Sequence, residues 1–344
     1  GREILRGKRI VISTGTRPVR PDGPAGVEKL PYQVSDDLFK LAAAPRSITI
    51  IGGGYIACEF AHFFSGIGTK VTLVERGPEL LSGEDEDIRK VFTEAFTSRA
   101  GVRLHTTVER IERRGGAFRL RLDGKGAGSI SSEALLYAIG RRPNTDAIGI
   151  ENTGVKLDSR GFISVNEYLE TRVKGVFAVG DVNGRHLFTH AATVQNDYLA
   201  ERLSGGPRLP LDHGPMPHAV FTDPEVAGVG KTEQALRARG VKYLKAVVRY
   251  DEVGKGIALK ERDGIAKLLS SPTGEILGFH VVGPEASVLL HQAVVAMRWR
   301  CHVSSLTGAI TVHPSLSEVV AETAWRVLAE LPRKARRGPS SPRR

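Results

Sequence analysis

The chain has 344 residues, 41% of them apolar and 25% charged, the proportions of a globular protein with room for two or three domains and not those of a disordered chain. The formal charge of +11 does not mark a nucleic-acid binder. Arg333, Lys334, Arg336, Arg337, Arg343 and Arg344 lie together in a Pro- and Ser-bearing tail without an acid, and no aromatic-rich basic strand or helix-turn-helix pattern accompanies them. The longest apolar stretch, 48–64, contains Glu59 and His62 and falls short of the roughly 20 residues that span a bilayer. No leader pattern opens the chain, so a soluble protein without a membrane partner is expected. Cys58 and Cys301 are far apart, which offers no disulfide framework and no metal pair and fits a reducing cytoplasm.

In chain order, residues 7–15 read as a short buried strand ending in a glycine turn, and Pro18, Pro21, Gly23, Pro24 and Gly26 mark a linker. A short helix is expected over 35–44. A strand over 47–51 runs into Gly52-Gly53-Gly54, and helical periodicity follows over 55–66. A strand over 70–75, an amphipathic helix over 88–99 and a strand over 102–105 come next. Alternation over 108–113 and 118–122, around Gly115-Gly116, predicts an antiparallel meander, and 134–139 returns as a buried strand. A second segment holds a strand ending in Gly180-Asp181 and a helix over 191–203. Beyond a proline-bearing connector, 207–217, the pattern becomes α+β and closes with a helix over 316–331. No internal repeat is visible.

Gly52-x-Gly54-x-x-Ala57 follows a strand and opens a helix, and Glu75 closes the next strand about 20 residues on, which is the full context of a dinucleotide-binding fingerprint. Gly52 permits the tight turn, Gly54 lets backbone approach a pyrophosphate, and Ala57 lets helix and strand pack closely. The helix start, with Gly53, Tyr55 and Ile56, offers N–H groups to the phosphate. Glu75 would accept the adenine ribose hydroxyls and repel a 2′-phosphate, favouring NAD. Arg76 keeps NADP open.

Thr171 to Asp181 delivers a carboxylate at the C-terminal edge of an apolar strand, and here the residues resemble the second FAD motif of the pyridine nucleotide-disulfide oxidoreductases. The likeness covers about Gly7 to Leu331. It implies that Asp181 contacts the flavin's ribityl chain and that the Thr14-Gly15-Thr16 strand end and the Leu187–His190 segment also meet FAD. It implies that Gly140, in Gly-Arg-Arg-Pro-Asn, lies near NAD, that Val108 borders the adenine end and that Glu59 faces the nicotinamide. His313-Pro314-Ser315-Leu316-Ser317-Glu318 is similar to the family's C-terminal active-site signature. Pro314 is expected near the first helical turn. The apolar face Leu316, Val319, Val320, Ala324, Val327, Leu328 and Leu331 would anchor that helix, and Glu318 would accept a hydrogen bond from His313, the proton carrier for the exchanging thiol. In the family this imidazole comes from the partner subunit, which implies a homodimer.

The resemblance implies an α/β fold with Rossmann-like FAD- and NAD(P)-binding domains and a C-terminal α+β dimerisation domain. Its bounds are 1–29 and 144–212 for FAD, 30–143 for NAD, 213–331 for dimerisation and 332–344 for a disordered basic tail. It implies an FAD- and NAD-dependent flavoenzyme acting on a small dithiol or a lipoyl domain. His-Pro-Ser-Leu-Ser-Glu with Glu75 resembles dihydrolipoamide dehydrogenase, and Thr72 to Leu81 with Val319 to Ala324 resembles mycothione reductase. A transhydrogenase-like enzyme also stays open. The family's Cys-x-x-x-x-Cys pair and first glycine fingerprint are not in these 344 residues. The expectation is that they lie upstream and that this segment alone is inactive. The alternative is a non-catalytic NAD-binding or dimerisation module.

Overall fold

The structure is a computed structural model describing residues 3–336. Strands β1 (Ile10–Ile12) and β2 (Thr16–Pro18) precede β3 (Gln33–Val34), α1 (Ser35–Leu38), β4 (Ser47–Ile51), α2 (Tyr55–Gly66), β5 (Lys70–Val74), α3 (Glu86–Arg99) and β6 (Gly101–Arg103). Next come β7 (Thr106–Arg114), β8 (Ala117–Gly124), β9 (Gly128–Ser132) and β10 (Ala134–Tyr137), then β11 (Arg141–Pro143), β12 (Val176–Ala178) and α4 (Thr189–Leu203). The last part holds β13 (His218–Val220), β14 (Val226–Gly230), α5 (Glu233–Ala238), β15 (Leu244–Arg249), α6 (Gly254–Leu259), β16 (Ile265–Ser270), β17 (Ile276–Val282), α7 (Ala286–Arg298), α8 (Ser304–Gly308) and α9 (Ser317–Glu330). These elements sort into two interleaved units. The first joins the described residues up to Val19 with Gly140–His213, and the second joins Arg20–Ile139 with the described residues from Gly214 onward.

In the first unit β1 runs parallel to β12, pairing Ile10 with Val176, and β2 runs antiparallel to β11. The strand expected to be buried is only partly so: Ile10 and Val11 are 51% and 44% exposed, because among the described residues only β12 pairs with it, while Ile12 packs on the core beside it. Ile150, Val155, Ile163, Ala178 and Val182 make a small core beside it.

The second unit holds a parallel sheet in the order β3-β10-β4-β5-β6, the β7-β8-β9 meander, and an antiparallel sheet in the order β13-β14-β17-β16-β15. Parallel strands need both faces covered. Accordingly Ile48, Ile50, Leu73 and Leu136 bury one face with α2 and α3, while Val74, Leu135 and Tyr137 bury the other against Phe118, Leu120 and Leu122 of the meander. The antiparallel sheet packs on α7 and α9, whose Val319, Val320, Ala324 and Val327 are fully buried at the predicted helical spacing. The expected helix over 35–44 stops at Leu38. The Asp37 carboxylate accepts the Val34 amide, bonds from Lys40 and Leu41 tighten the turn, and Pro45 disfavours helix at Ala44. Of the tail expected to be disordered, Pro332–Arg336 form a turn in which Arg336 donates to the helix-end carbonyls of Leu331 and Ala329, a favourable place for a cation. Arg337, Arg343 and Arg344 lie outside the described residues.

One buried charge cluster ties the antiparallel sheet of this unit to the starts of α3 and α5. Lys267 on β16 is fully buried, with Nζ 2.7 Å from Asp85, 2.6 Å from Asp87 and 2.5 Å from Glu233. Asp85 is the N-cap of α3 and also accepts the Glu233 amide at 2.8 Å. Burial pushes the Glu233 carboxyl up, but bonds from Lys267, Tyr243 and Lys245 outweigh it and hold the group down to about 2. Its folded value therefore lies below the unfolded one. The stabilisation is complete above about pH 4.3 and is lost as pH falls towards 2. Thermal melts over that range should show the midpoint falling for the native protein and falling less steeply for Glu233→Gln. Identical slopes would remove Glu233 from the acid response.

Candidate functional site: two nucleotide cradles and a histidine–glutamate pair

In the second unit the parallel register of β4, β5 and β10 brings three turns to one edge of the sheet. Gly52 leaves β4 with φ +121, and a Cβ on it would meet the Ala138 carbonyl oxygen at 2.4 Å, so only glycine fits. A Cβ on Gly53 would lie 2.7 Å from Glu75, whose carboxylate is held beside the glycine turn by the Gly77 amide at 2.6 Å. Gly54 is different. Its φ of −80 suits any residue, and a Cβ there would meet nothing, so the fold gives no reason for a glycine. A bare backbone at that point leaves room for a ligand. Gly54 is the N-cap of α2, with no side-chain cap and no acid in the first turn, whereas α3 has both. An uncapped helix start of this kind is suited to an anion.

Around this turn the remaining predicted residues take different positions. Tyr55 is exposed and Ile56 half-buried, while Ala57 is fully buried against the sheet. Glu59 spends one carboxylate oxygen on the Phe221 amide at 3.0 Å. Val108 is half-buried on β7 among the meander's apolar residues. Gly140 belongs to the first unit, where its carbonyl accepts the Val19 amide. Cys58, on the same helix, is buried, and burial drives its thiol well above the ordinary range, so it is no thiolate nucleophile.

The first unit contains a cavity of about 410 Å³ lined by Ser13, Gly15, Val179, Gly180, Asp181, Leu187, Thr189, Ala192 and Asn196. Three predicted residues, Gly15, Asp181 and Leu187, line it. Thr16 lies behind them: its hydroxyl donates to Asp181 Oδ2 at 2.9 Å and accepts from Arg141 Nε at 2.8 Å, which aims the carboxylate. The Thr14 carbonyl accepts Asn144 Nδ2, and His190 stacks on Phe188 in the first turn of α4, so neither is among the lining residues. Thr189, inside the Leu187–His190 segment, lines the cavity as well. Sequence reasoning missed Ala192 and Asn196, whose i, i+4 spacing on α4 was the available signal.

His313 precedes α9. Its Nδ1 lies 2.7 Å from Glu318 Oε1, and Glu318 Oε2 accepts the Ser315 amide at 2.9 Å. Those two bonds hold the Glu318 carboxyl below its usual range. Pro314 lies just before the Leu316 cap of the helix, which starts at Ser317. The imidazole is 73% exposed and lies beside the bare backbone of Gly254, where a Cβ would come within 3.3 Å of Cε1. An exposed imidazole with one nitrogen on a carboxylate can carry a proton on the other.

Comparison with known proteins follows this geometry. The chain is 36% identical over 327 residues to mycothione reductase of Mycobacterium tuberculosis, covering 92% of this chain and 70% of that protein. It is 33% identical over 325 residues to dihydrolipoyl dehydrogenase of Chlamydia muridarum, covering 93% and 69%. Among solved structures, the HOCl-induced flavoprotein disulfide reductase RclA of Escherichia coli superposes with a TM-score of 0.83 at 28% identity, covering 94% of this chain and 74% of that one. LpdA of M. tuberculosis does so at 0.81 and 26%, covering 92% and 69%. Among the described residues no helix is long and apolar enough to cross a membrane. The pyridine nucleotide-disulphide oxidoreductase pattern matches residues 1–196 and its dimerisation domain residues 216–324, so the chain belongs to that family of flavin- and NAD(P)-dependent oxidoreductases, with Rossmann FAD/NAD-binding folds followed by an α+β dimerisation domain.

Proposed function

We propose that the chain carries the nicotinamide-binding, flavin-contacting and proton-handling parts of an enzyme that passes electrons between NAD(H) and a small disulfide or dithiol, working as a homodimer. The observation that carries this reading is the His313–Glu318 pair, an exposed imidazole backed by a carboxylate at 2.7 Å. Reduction of a low-mass disulfide of the mycothione type is the substrate reading put first, since the identity to mycothione reductase, 36%, exceeds that to dihydrolipoyl dehydrogenase, 33%. Oxidation of dihydrolipoamide is the second, favoured by the His-Pro-Ser-Leu-Ser-Glu run.

The residues fit both cofactors. Gly52 to Ala57 with Glu75 would hold NAD, the pyrophosphate against the Gly54 amide and α2. Asp181 and Gly15, with Leu187, would hold part of FAD in the first unit's cavity. When bound, these groups supply hydride and electron-pair chemistry. The chain's own part is to orient them and to hold a proton at His313, with Glu318 fixing the ring through Nδ1. Residues 1–29 and 144–212 are assigned to FAD, 30–143 to NAD and 213–331 to dimerisation.

The test is turnover of the protein expressed from its full reading frame, with NADH and NADPH, against mycothione disulfide, glutathione disulfide and dihydrolipoamide. Preference for the first supports the leading reading, and preference for dihydrolipoamide supports the second. No turnover together with no flavin absorbance would sink both. Glu75→Gln removes a charged acceptor from the ribose, so the KM for NADH should rise about tenfold with kcat little changed. An unaltered KM would separate Glu75 from cofactor choice.

A further inference from the structure

Gln195, on α4 beside the first unit's cavity, is fully buried. Its carbonyl oxygen accepts two hydrogen bonds, from the Gly180 amide at 2.9 Å and from Asn183 Nδ2 at 2.7 Å. A backbone N–H can only donate, so the oxygen of this side-chain amide is fixed at that end and its NH2 group at the other. The NH2 group lies 3.3 Å from Nε2 of His213. Because that group also can only donate, His213 Nε2 must accept, and the ring is therefore neutral with its proton on Nδ1.

We propose that Gln195 and His213 are positioning residues of the cofactor cavity: neutral His213 holds the Gln195 amide, and the amide holds the Gly180–Asp181 turn that lines the cavity. The functional part of this inference rests on the flavin reading of that cavity; the hydrogen-bond geometry does not. A proton on Nε2 would set two donors face to face. If the amide rotated to offer the ring its oxygen, its NH2 group would meet the Gly180 and Asn183 donors instead. Either way a donor inside the unit loses its acceptor, and the turn carrying Asp181 loses its anchor.

The groups facing His213 act on its proton in both directions. The His186 ring lies at a centroid distance of 5.3 Å, with Arg185 in the same loop and Asp212 next in sequence. His190 in turn bears on His186. Burial, followed by His186 and Arg185, lowers the His213 imidazole below its ordinary value, against an opposing pull from Asp212. The folded value is thus below the unfolded one. The stabilisation is whole above about pH 6.5 and is lost as pH falls through that value towards the folded one.

The experiment measures FAD affinity of the protein expressed from its full reading frame between pH 8 and 5, by quenching of added FAD fluorescence, for the native sequence, His213→Gln and His213→Leu. Nitrogen-15 spectra of the His213 ring and the Gly180 amide give a second readout. Native affinity should weaken about tenfold or more over that range, the loss of a buried hydrogen bond. Glutamine, an acceptor that does not titrate there, should keep the pH 8 affinity throughout, and leucine should bind weakly throughout. Nε2 should be unprotonated at pH 8, and the Gly180 resonance should move with the ring's midpoint. A protonated Nε2 at pH 8, or a His213→Gln variant with the native pH profile, would overturn the proposal. If the native protein takes up no FAD at any pH, the flavin reading fails, while the ring and Gly180 resonances still decide whether the positioning chain exists.

Discussion

Lys267→Met is expected to destabilise the protein by about 3–5 kcal/mol, the usual cost of removing one partner from a buried ionic cluster. Nζ of Lys267 stands among Asp85, Asp87 and Glu233, and its side chain has no exposed surface. Lys245, 3.0 Å from Glu233 and half exposed, cannot neutralise Asp85 on the far side. Methionine fills most of the volume, so a cavity would contribute little and the loss would report the uncompensated carboxylates. The pH response should also weaken. Without the ammonium, burial of Asp85 and Glu233 is opposed only by their remaining bonds, from the Glu233 amide and from Tyr243 and Lys245, so the variant should lose less stability than the native protein as pH falls from 6 towards 4. Urea unfolding at both pH values measures this. A loss under about 1 kcal/mol with the native slope would show that the cluster does not depend on this lysine.

The second large effect is on turnover. His313→Gln keeps a hydrogen-bond donor near Glu318 but cannot carry a proton, and turnover of the protein expressed from its full reading frame should fall by about 10²–10⁴-fold, the range of general acid–base catalysis. Flavin content and the unfolding midpoint should stay native, since the side chain is 73% exposed and packs on little. Glu318→Gln should give a smaller loss, because the carboxylate holds the ring in place through Nδ1 rather than touching the substrate. A His313→Gln variant that turns over at the native rate would end the proton-carrier assignment.

What the sequence made legible was the order of elements and the turns whose chemistry is local. Gly52, Gly54, Ala57 and Glu75 could be read because each answers to a rule of spacing, and the register of β4 and β5 brings Glu75 beside the glycine turn. His313 and Glu318, five residues apart, meet as their spacing suggested. Less legible were features made by distant parts of the chain. Lys267 stands in a strand of otherwise buried residues with nothing nearby to name its partners, which come from α3 and α5. Gln195 and His213 are ordinary polar residues until the fold sets one against the other. The burial assigned to Ile10 and Val11 was read from apolarity alone, which records a preference for cover and not whether neighbouring strands supply it.

The first unit is assembled from two stretches of chain with 120 residues of the other unit between them, Arg20 to Ile139. Ile10 finds Val176 across that whole interval. A ribosome therefore releases β1 long before it makes β12, and the intervening parallel sheet, all of it synthesised before β12, can close first. Its closure brings the ends of the long loop nearer and reduces the entropy still to be lost when β1 and β12 pair. Destabilising substitutions in β4 or β5 should therefore delay acquisition of the other unit's cavity during synthesis, even though none of their side chains belongs to it.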